Sequence, residues 1–276
     1  THIPMTKLPK ISIVTPVYNC VAYIEETILS VINQGYPNLE YIIMDGGSTD
    51  GTIDIINKYK DRISVIHSGP DGGQTKALIR GFEEASGDVL CWLNGDDYYM
   101  PGVLNKVGRL FQENTSMNMV YGDYLVIDEN GNLEAKPKVS YDFHIALYSY
   151  LMIPQPSSFW RKKSYEEVGG LNPSFSYAFD WDFFLRMGLE ALQSRQPEAI
   201  RHIHDIYSVF RLRPDSKSVN ESHKFNEERE GIIIQFEKFK PYKFRWIKKK
   251  FYMLKVLYKF KKERGFIPVQ SDSRKA

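Results

Sequence analysis

The chain has 276 residues, 42% of them hydrophobic and 14% aromatic, which is enough to bury a full core in one large domain or two small ones. Its formal net charge of +2 is unevenly distributed, because residues 241–276 carry +10 and residues 1–240 carry −8. This asymmetry argues against a nucleic-acid partner for the main body. No signal peptide and no run of about 20 apolar residues are visible, and two cysteines are too few for a disulfide framework, so we expect a cytoplasmic protein.

Strands and helices alternate through the first third of the chain. Strands are predicted at residues 11–15, 40–44, 64–67 and 89–93, and helices at residues 21–34, 53–59 and 74–85. Pro16 is expected to end the first strand, because proline cannot donate a backbone hydrogen bond. Alternation with short connections is typical of a sheet covered by helices, so we predict an α/β fold with a mostly parallel sheet.

Later elements are shorter and less regular in order. They are a helix at 101–114, a hairpin of strands 118–128 and 132–136, a strand at 157–160, a helix at 164–168, strand-like runs at 199–203 and 206–212, and a helix at 222–239. If Asp180 begins a further helix, the helix dipole favours its ionised form. No repeat or linker is visible, so we divide the chain into one domain, residues 1–240, and a tail, residues 241–276.

Polar loops follow three of the predicted strands. They contain Tyr18 and Asn19, then Asp45 and Asp50, then Asp96 and Asp97. Ligand crevices of open α/β sheets lie at the carboxyl ends of the strands, so these side chains are expected to converge on one rim. The chain lacks both Gly-x-Gly-x-x-Gly after the first strand and a P-loop lysine motif, which disfavours dinucleotide oxidoreductases and P-loop enzymes.

Asp96 and Asp97 are the strongest candidates for a metal site. Adjacent carboxylates repel each other unless a cation lies between them, and hard oxygen ligands suit Mg²⁺ or Mn²⁺. A solvated turn is the alternative, since Asn94-Gly95-Asp96-Asp97 is also good turn chemistry.

Four motifs in order resemble glycosyltransferase family 2. They are Thr15-Pro16-Val17-Tyr18-Asn19, Asp45-Gly46-Gly47-Ser48-Thr49-Asp50-Gly51-Thr52, Asn94-Gly95-Asp96-Asp97 and Phe179-Asp180-Trp181-Asp182. The likeness covers about residues 10–218. It implies a GT-A fold and an inverting, metal-dependent transfer of a sugar from a nucleoside diphosphate to a glycan or lipid-linked hydroxyl, in surface-polysaccharide synthesis.

The resemblance also implies roles for single residues. Asp45 would hydrogen-bond the base, which favours uracil or thymine, and Asp96 would contact ribose or metal-bound water. Asp97 would ligate the Mn²⁺ or Mg²⁺ that bridges the phosphates, and Asp180 would be the catalytic base. The remaining nucleoside-side positions are Thr15, Pro16, Tyr18, Asp71 and Gln74.

This sequence departs from the family pattern in three places. The usual Asp-Asp-Gly-Ser reads Asp45-Gly46-Gly47-Ser48, and Phe179 replaces an acidic residue before the base. Arg213 replaces a histidine that often follows later, so a third metal ligand is in doubt. Arg211, Arg213 or Lys217 could instead neutralise the diphosphate. His202 and His204 are nearby substitutes as metal ligands, although a lone histidine is more often structural.

Other conspicuous side chains are given structural roles. Trp160, Trp181 and Cys91 are predicted to lie in the core or, for the tryptophans, to form the pocket wall. Asp182 is expected to orient backbone or Arg186, with a second carboxylate in the site as the alternative.

The basic tail contains an amphipathic helix. Phe244, Ile247, Phe251, Leu254 and Tyr258 form one stripe, and Lys248, Lys255, Lys259 and Lys262 share a neighbouring face. This pattern suits an anionic membrane surface, which would make the enzyme peripheral on the inner face of the membrane. A helix docked on the catalytic domain with its lysines in water is an equal alternative.

Two rival functions remain open. A sugar-nucleotide pyrophosphorylase shares a nucleotide-binding sheet but needs a glycine-rich, arginine-bearing loop after the first strand, which is missing here. A catalytically inactive nucleotide-sugar-binding module is supported by Arg213 alone. Donor hydrolysis with and without Mn²⁺ separates that module from the enzyme.

Overall fold

The computed structural model describes residues 7–149, 152–213, 221–237 and 245–265. Its strands are β1 (Ile11–Val17), β2 (Leu39–Asp45), β3 (Val65–Ser68), β4 (Val89–Trp92), β5 (Tyr98–Tyr99), β6 (Met119–Ile127), β7 (Leu133–Lys136), β8 (Ser158–Arg161) and β9 (Ile200–Arg211). Its helices are α1 (Ile24–Ile32), α2 (Thr52–Lys58), α3 (Gln74–Glu84), α4 (Val103–Glu113), α5 (Phe143–Tyr148), α6 (Lys162–Glu167), α7 (Phe179–Gln193), α8 (Ser222–Glu237) and α9 (Arg245–Arg264).

The strands form one mixed sheet in the order β3-β2-β1-β4-β8-β6-β9-β5, with β7 paired to β6. The first four strands are parallel, as strand–helix alternation predicts, and the α/β class is confirmed. β8 is antiparallel to both of its neighbours, and β6 and β7 form the predicted hairpin. The parallel half therefore brings the loops after β1, β2 and β4 to one edge.

Two strands differ from the sequence-based expectation. β1 continues through Pro16 to Val17. The proline is tolerated because β4 pairs with β1 only as far as Val14, so this neighbour needs no backbone N–H from Pro16. The two predicted runs after residue 198 are one strand, β9, whose pairing with β6 shifts register around Asp123. That irregularity changes which side chains share a face, so the alternation of apolar and polar residues is interrupted although the strand continues.

A cluster of aromatic rings fixes α7 to the centre of the sheet. The Trp92 and Trp160 ring centroids are 5.3 Å apart, and Phe183 of α7 lies 5.0 Å from Trp160. All three side chains are fully or almost fully buried, and the core positions expected for Trp160 and Cys91 are confirmed. Full burial of a Phe side chain contributes roughly 1.5–3 kcal/mol. The packing therefore holds the amino end of α7 close to the end of β4.

Helix α9 packs on α5 through one face and leaves another in solvent. Val256 and Phe260 are buried, and Lys255 donates to Asp142 over 2.6 Å. Exposed on the opposite face are Phe251, Leu254 and Tyr258, each more than 60% accessible. Phe244 lies outside the described residues. No helix in the described ranges combines the length and the apolar composition needed to cross a bilayer.

Candidate active site

One part of the rim is a cleft between the loops after β1, β2 and β3. Tyr18 is 65% exposed at its mouth. A Cβ atom built on Gly46 would lie 3.0 Å from Oδ2 of Asp71 and 3.4 Å from Cδ2 of Tyr18. Gly46 therefore allows the aromatic ring and the carboxylate to approach each other. Asp71 is half-buried, and its Oδ1 accepts a hydrogen bond from the N–H of Gly73.

Asp45 is not open to this cleft. Its side chain is buried, and its oxygens accept hydrogen bonds from the N–H and hydroxyl of Ser48 and from the hydroxyl of Ser68, the last at 2.6 Å. These contacts join the loop after β2 to the end of β3. The base contact expected of Asp45 is thus at a carboxylate that already accepts hydrogen bonds from Ser48 and Ser68, and Asp71 is the more exposed of the two acids.

Thr15 and Pro16 support the cleft from behind instead of lining it. Both are buried in β1, and the Thr15 hydroxyl lies 3.1 Å from the Tyr41 hydroxyl. The Pro16 carbonyl accepts a hydrogen bond from the N–H of Gly95. The motif was recognised correctly, but the sequence did not show which of its side chains face inward.

A chain of side-chain amides connects α3 to the acidic pair. The Gln74 amide donates to Asn94 over 2.9 Å, and Asn94 donates to Oδ2 of Asp97 and to Gln155, both over 3.3 Å. Gln155 in turn donates to the carbonyl of Trp92. Asn94 and Gln155 were not among the predicted site residues. Asn94 belongs to a motif and could have been chosen, whereas nothing local marks Gln155.

The adjacent carboxylates Asp96 and Asp97 have different environments. Asp97 is fully buried, and its Oδ1 accepts a hydrogen bond from the N–H of Arg211 over 2.9 Å. Burial raises the pKa of Asp97 well above its usual range, and the neighbouring charge of Asp96 adds to that rise. The Asp96 side chain is 23% exposed and pairs with Arg213. Of the two, Asp96 is the carboxylate that a ligand in the rim can reach.

Arg211 and Arg213 line the same edge. Their guanidinium carbons lie 4.7 Å and 5.1 Å from the centre of the Tyr23 ring, so both cations contact the same aromatic ring. Arg211 also pairs with Glu26, and Arg213 lies 3.3 Å from Oδ2 of Asp96. The predicted proximity of both arginines to the acidic pair is present. Lys217 lies outside the described residues.

Asp180 lies in the first turn of α7, where a helical start was predicted. The pKa of Asp180 is raised to about 6, chiefly by burial and also by the nearby charge of Glu228, while a hydrogen bond from the N–H of Trp181 opposes this rise. Phe179 is buried with its ring centroid 5.9 Å from that of Trp92. The Thr75 hydroxyl donates to the carbonyl of Phe175, which ties the start of α3 to the loop before α7.

Glu228 of α8 fixes the backbone in front of Asp180. Its carboxylate accepts hydrogen bonds from the N–H groups of Ser176, Tyr177 and Ala178 at 2.7–2.9 Å. Nothing in the sequence around Glu228 marks it, because its role depends on how a helix about 50 residues later packs.

Two other expectations have clear outcomes. Asp182 is buried and its Oδ2 accepts two hydrogen bonds from Arg186, at 2.7 Å and 2.9 Å, so the predicted pairing is confirmed. Trp181 is buried as predicted. His202 pairs with Tyr121 of β6 and Arg211 pairs with Ile127, so the two positions on β9 are roughly 20 Å apart at 3.3 Å per residue of β6. His202 and His204 therefore lie away from the acidic pair that Arg211 contacts.

Known proteins resemble this chain in sequence and in fold. A model described as Glycosyl transferase family 2 matches residues 12–170, more than half of the chain. A chondroitin synthase of Pasteurella multocida is 30% identical over 183 residues, which are 66% of this chain and 19% of that protein. The chain spans about half or less of the length of the first curated relatives that it matches.

Solved structures show the same fold. Staphylococcus aureus TarS in complex with UDP-GlcNAc has a TM-score of 0.66 and 18% identity, covering 92% of this chain and 73% of that one. The mannosyltransferase PcManGT from Pyrobaculum calidifontis, in complex with GDP-Man and Mn²⁺, has a TM-score of 0.59 and 17% identity, covering 86% and 66%. The expected GT-A fold is confirmed.

Proposed function

Since the chain belongs to glycosyltransferase family 2, we propose that it transfers a sugar, with inversion, from a UDP- or dTDP-sugar to a hydroxyl group of a glycan or lipid-linked acceptor. The observation that carries this proposal is the hydrogen-bonded path from Gln74 through Asn94 and Asp97 to Arg211. This path joins three distant segments at one rim. Phe179, the residue before Asp180, packs on Trp92 of β4, which supports a place for Asp180 near the same rim.

The nucleobase is proposed to lie against Tyr18, with Asp71 as its hydrogen-bond partner. The ring N–H of uracil or thymine can donate to a carboxylate, which supports a UDP- or dTDP-sugar. Gly46 keeps the two side chains within reach of a flat ring, since a side chain there would contact Asp71. Asp45 would hold the loop beneath the base through Ser48 and Ser68.

A divalent cation fits the Asp96–Asp97 pair. Two adjacent carboxylates, one with a strongly raised pKa, gain from a nearby cation that lets both ionise. We assign Asp96 as the main ligand, because it is the accessible one, and Asp97 as its support. Bound Mn²⁺ or Mg²⁺ would neutralise charge on the departing diphosphate. Arg211 and Arg213 would contribute positive charge at the same place.

The chemical step is proposed to depend on Asp180. Its carboxylate takes the proton of the acceptor hydroxyl while that oxygen bonds to the anomeric carbon. The bond from that carbon to the diphosphate breaks, and the diphosphate leaves with the electron pair. A pKa near 6 suits this role, because such a base is ionised at neutral pH and still has useful proton affinity.

The decisive experiment combines binding with turnover. A panel of nucleotide sugars is screened for thermal stabilisation with Mn²⁺, since a ligand that binds only the native state raises its stability. The best donor is then assayed for hydrolysis and transfer with and without Mn²⁺. Stabilisation with Mn²⁺-dependent turnover is expected. Stabilisation without any turnover would show a binding module instead.

The acceptor is proposed to be presented at an anionic membrane surface, with residues 241–276 as the attachment tail. The exposed stripe of Phe251, Leu254 and Tyr258 faces away from the domain, and the exposed Lys261 and Lys262 continue the same helical face. Apolar side chains flanked by lysines are the arrangement that binds between anionic headgroups. The contacts of α9 with α5 leave this face available.

Vesicle binding tests the tail. Replacing Phe251, Leu254 and Tyr258 by serine should reduce binding to phosphatidylglycerol vesicles at least tenfold, since each full burial contributes about 1.5–3 kcal/mol. The matched control replaces Leu133 and Leu192, which are also exposed but lie elsewhere, and should bind normally. Equal binding of the serine variant and wild type would refute the attachment role.

A further inference from the structure

Two histidines of β9 and a glutamate of α9 meet far from the candidate active site. One ligand atom from each of His202, His204 and Glu263 lies within 4.8 Å of the other two. The two imidazole centroids are 4.7 Å apart, as expected for residues i and i+2 on one face of a strand. The packing of α9 brings the carboxylate to this pair.

One nitrogen of the His202 ring has a hydrogen-bond partner, and the other has none among the described residues. Its side chain is only 2% exposed, and its Nε2 lies 2.9 Å from Oδ1 of Asp123. Asp123 also pairs with Arg264, so its carboxylate accepts and the imidazole Nε2–H donates. Nδ1 is buried and has no hydrogen-bond partner among the residues that the structure describes. Buried polar atoms rarely lack a partner, so this nitrogen needs an explanation.

We propose that His202, His204 and Glu263 bind one Zn²⁺ ion, with water as a fourth ligand, and that this ion fixes α9 to the sheet. Two imidazoles and a carboxylate are a donor set that Zn²⁺ uses in proteins. A carboxylate that accepts from the other imidazole nitrogen, here Asp123, is the usual support of a metal-binding histidine.

The geometry and the charges permit this ion. Bonds of about 2 Å in a tetrahedral site place ligand atoms roughly 3.3 Å apart, so the separations between these atoms must shorten by up to about 1.5 Å. His204 is exposed and offers an entry path. The Glu263 carboxylate accepts hydrogen bonds from the N–H and hydroxyl of Ser140, and its Oε1 lies 3.3 Å from Nζ of Lys259. Lys259 also donates to the Ser140 carbonyl, so it keeps a partner when Glu263 turns toward the ion.

The ion would act on structure and not on the transfer reaction. The cluster lies roughly 20 Å along the β6–β9 pairing from Arg211, whose N–H contacts Asp97. Its position between β9 and α9 would restrain the helix and, through it, the direction in which Phe251, Leu254 and Tyr258 face.

The test measures Zn²⁺ binding to the chelator-treated full chain, together with hydrogen exchange of the α9 amides. Zn²⁺ should slow exchange in α9, and Mg²⁺ should not. His204→Gln should weaken Zn²⁺ binding by at least about 10- to 100-fold and abolish the protection of α9. His223→Gln, at an exposed histidine of α8 outside the cluster, should behave as wild type.

Because Asp96 and Asp97 could also take up Zn²⁺, α9 exchange is the deciding measurement and total uptake is not. Asp96→Asn should retain Zn²⁺-dependent protection of α9. The proposal is overturned if Zn²⁺ does not protect α9 in wild type, or protects it equally in His204→Gln. Glu263→Gln provides a second test, since loss of the helix-borne ligand should remove the same protection.

Discussion

The two sides of the candidate active site hold their carboxylates in different ways. On the side assigned to the donor, Asp45 is saturated by serine hydroxyls, and Asp97 accepts from a backbone N–H and an amide. On the side assigned to the acceptor, Asp180 is desolvated beside Glu228, and its pKa rises to about 6. Burial raises the pKa of both Asp97 and Asp180, but Asp97 also accepts hydrogen bonds from two other parts of the chain, whereas Asp180 accepts one from the neighbouring N–H of Trp181.

This difference suits two different tasks. A carboxylate surrounded by donors has a fixed orientation, which is what ligand recognition requires. A desolvated carboxylate retains affinity for a proton near neutral pH, which is what a general base requires. We therefore expect substitutions of the accessible carboxylates on the first side, Asp71 and Asp96, to lower donor affinity, while a substitution at Asp180 lowers the rate.

The largest effect is expected for Asp180→Asn. A positioned base contributes about 10²- to 10⁴-fold, so transfer should fall by that order while donor affinity stays nearly unchanged. The measurement compares kcat with the donor dissociation constant. Asp182→Asn is the matched control and should lower Tm without a comparable loss of kcat, since Asp182 pairs with Arg186. A large loss of donor binding in Asp180→Asn would contradict the assignment of Asp180 to the chemical step alone.

Asp96→Asn should have the next largest effect. An amide is a poorer ligand for a hard cation than a carboxylate, so the Mn²⁺ dependence of donor binding should weaken by at least about 10- to 100-fold. Titration of the nucleotide with and without Mn²⁺ measures it. Asp97→Asn should chiefly affect stability, because that side chain is buried against Arg211 and Asn94. The reverse result would return the ligand role to Asp97.

Asp71→Asn should weaken UDP binding by roughly 1–2 kcal/mol, about 5- to 30-fold, by removing a charged acceptor for the base. Cytidine diphosphate, whose ring offers no N–H there, should lose less affinity. Asp45→Asn should instead lower Tm, because it disturbs the contacts with Ser48 and Ser68. If Asp45→Asn abolishes discrimination between the two nucleotides and Asp71→Asn does not, then Asp45 and not Asp71 is the partner of the base.

The sequence predicted the rim well because its features are local. Asp96 and Asp97 lie in the loop that follows the buried strand β4, and their place at the edge follows from parallel strands. The orientation of single side chains was not predictable. Thr15 turns inward to Tyr41, and Ser68, which is 23 residues from Asp45 in sequence, closes on that carboxylate.

Contacts between distant segments were missed because they leave no local pattern in the sequence. Neither the pairing of β8 between β4 and β6 nor the support from Glu228 has a local signature. The tail was predicted as either docked or outward-facing, and α9 is docked through Val256 and Phe260 while Phe251, Leu254 and Tyr258 of the predicted stripe are exposed. A helical period identifies an apolar face but not which of two faces the domain covers.

The smallest effect, and the one that best isolates desolvation, is expected for Glu228→Gln. Asp180 acts as a base only when ionised, so activity should fall about tenfold per pH unit below a pKa of about 6. The charge of Glu228 helps to raise that pKa, so its removal should lower the pKa of Asp180. The acid limb of the pH profile of kcat, where activity falls, should then move to lower pH by less than one unit. Glu227→Gln removes the same charge from an exposed neighbouring position and should leave the limb unchanged.

The shape of the pH profile separates electrostatics from support. Glutamine keeps one oxygen for the N–H groups of Tyr177 and Ala178, which now share Oε2 of Glu228, but loses the acceptor for Ser176. Loosening of this loop would lower the plateau of kcat without moving the limb. A shifted limb with a nearly intact plateau is expected, because burial is the main cause of the raised pKa and the loop retains most of its contacts. A limb that stays in place in Glu228→Gln would mean that burial alone sets the proton affinity of Asp180.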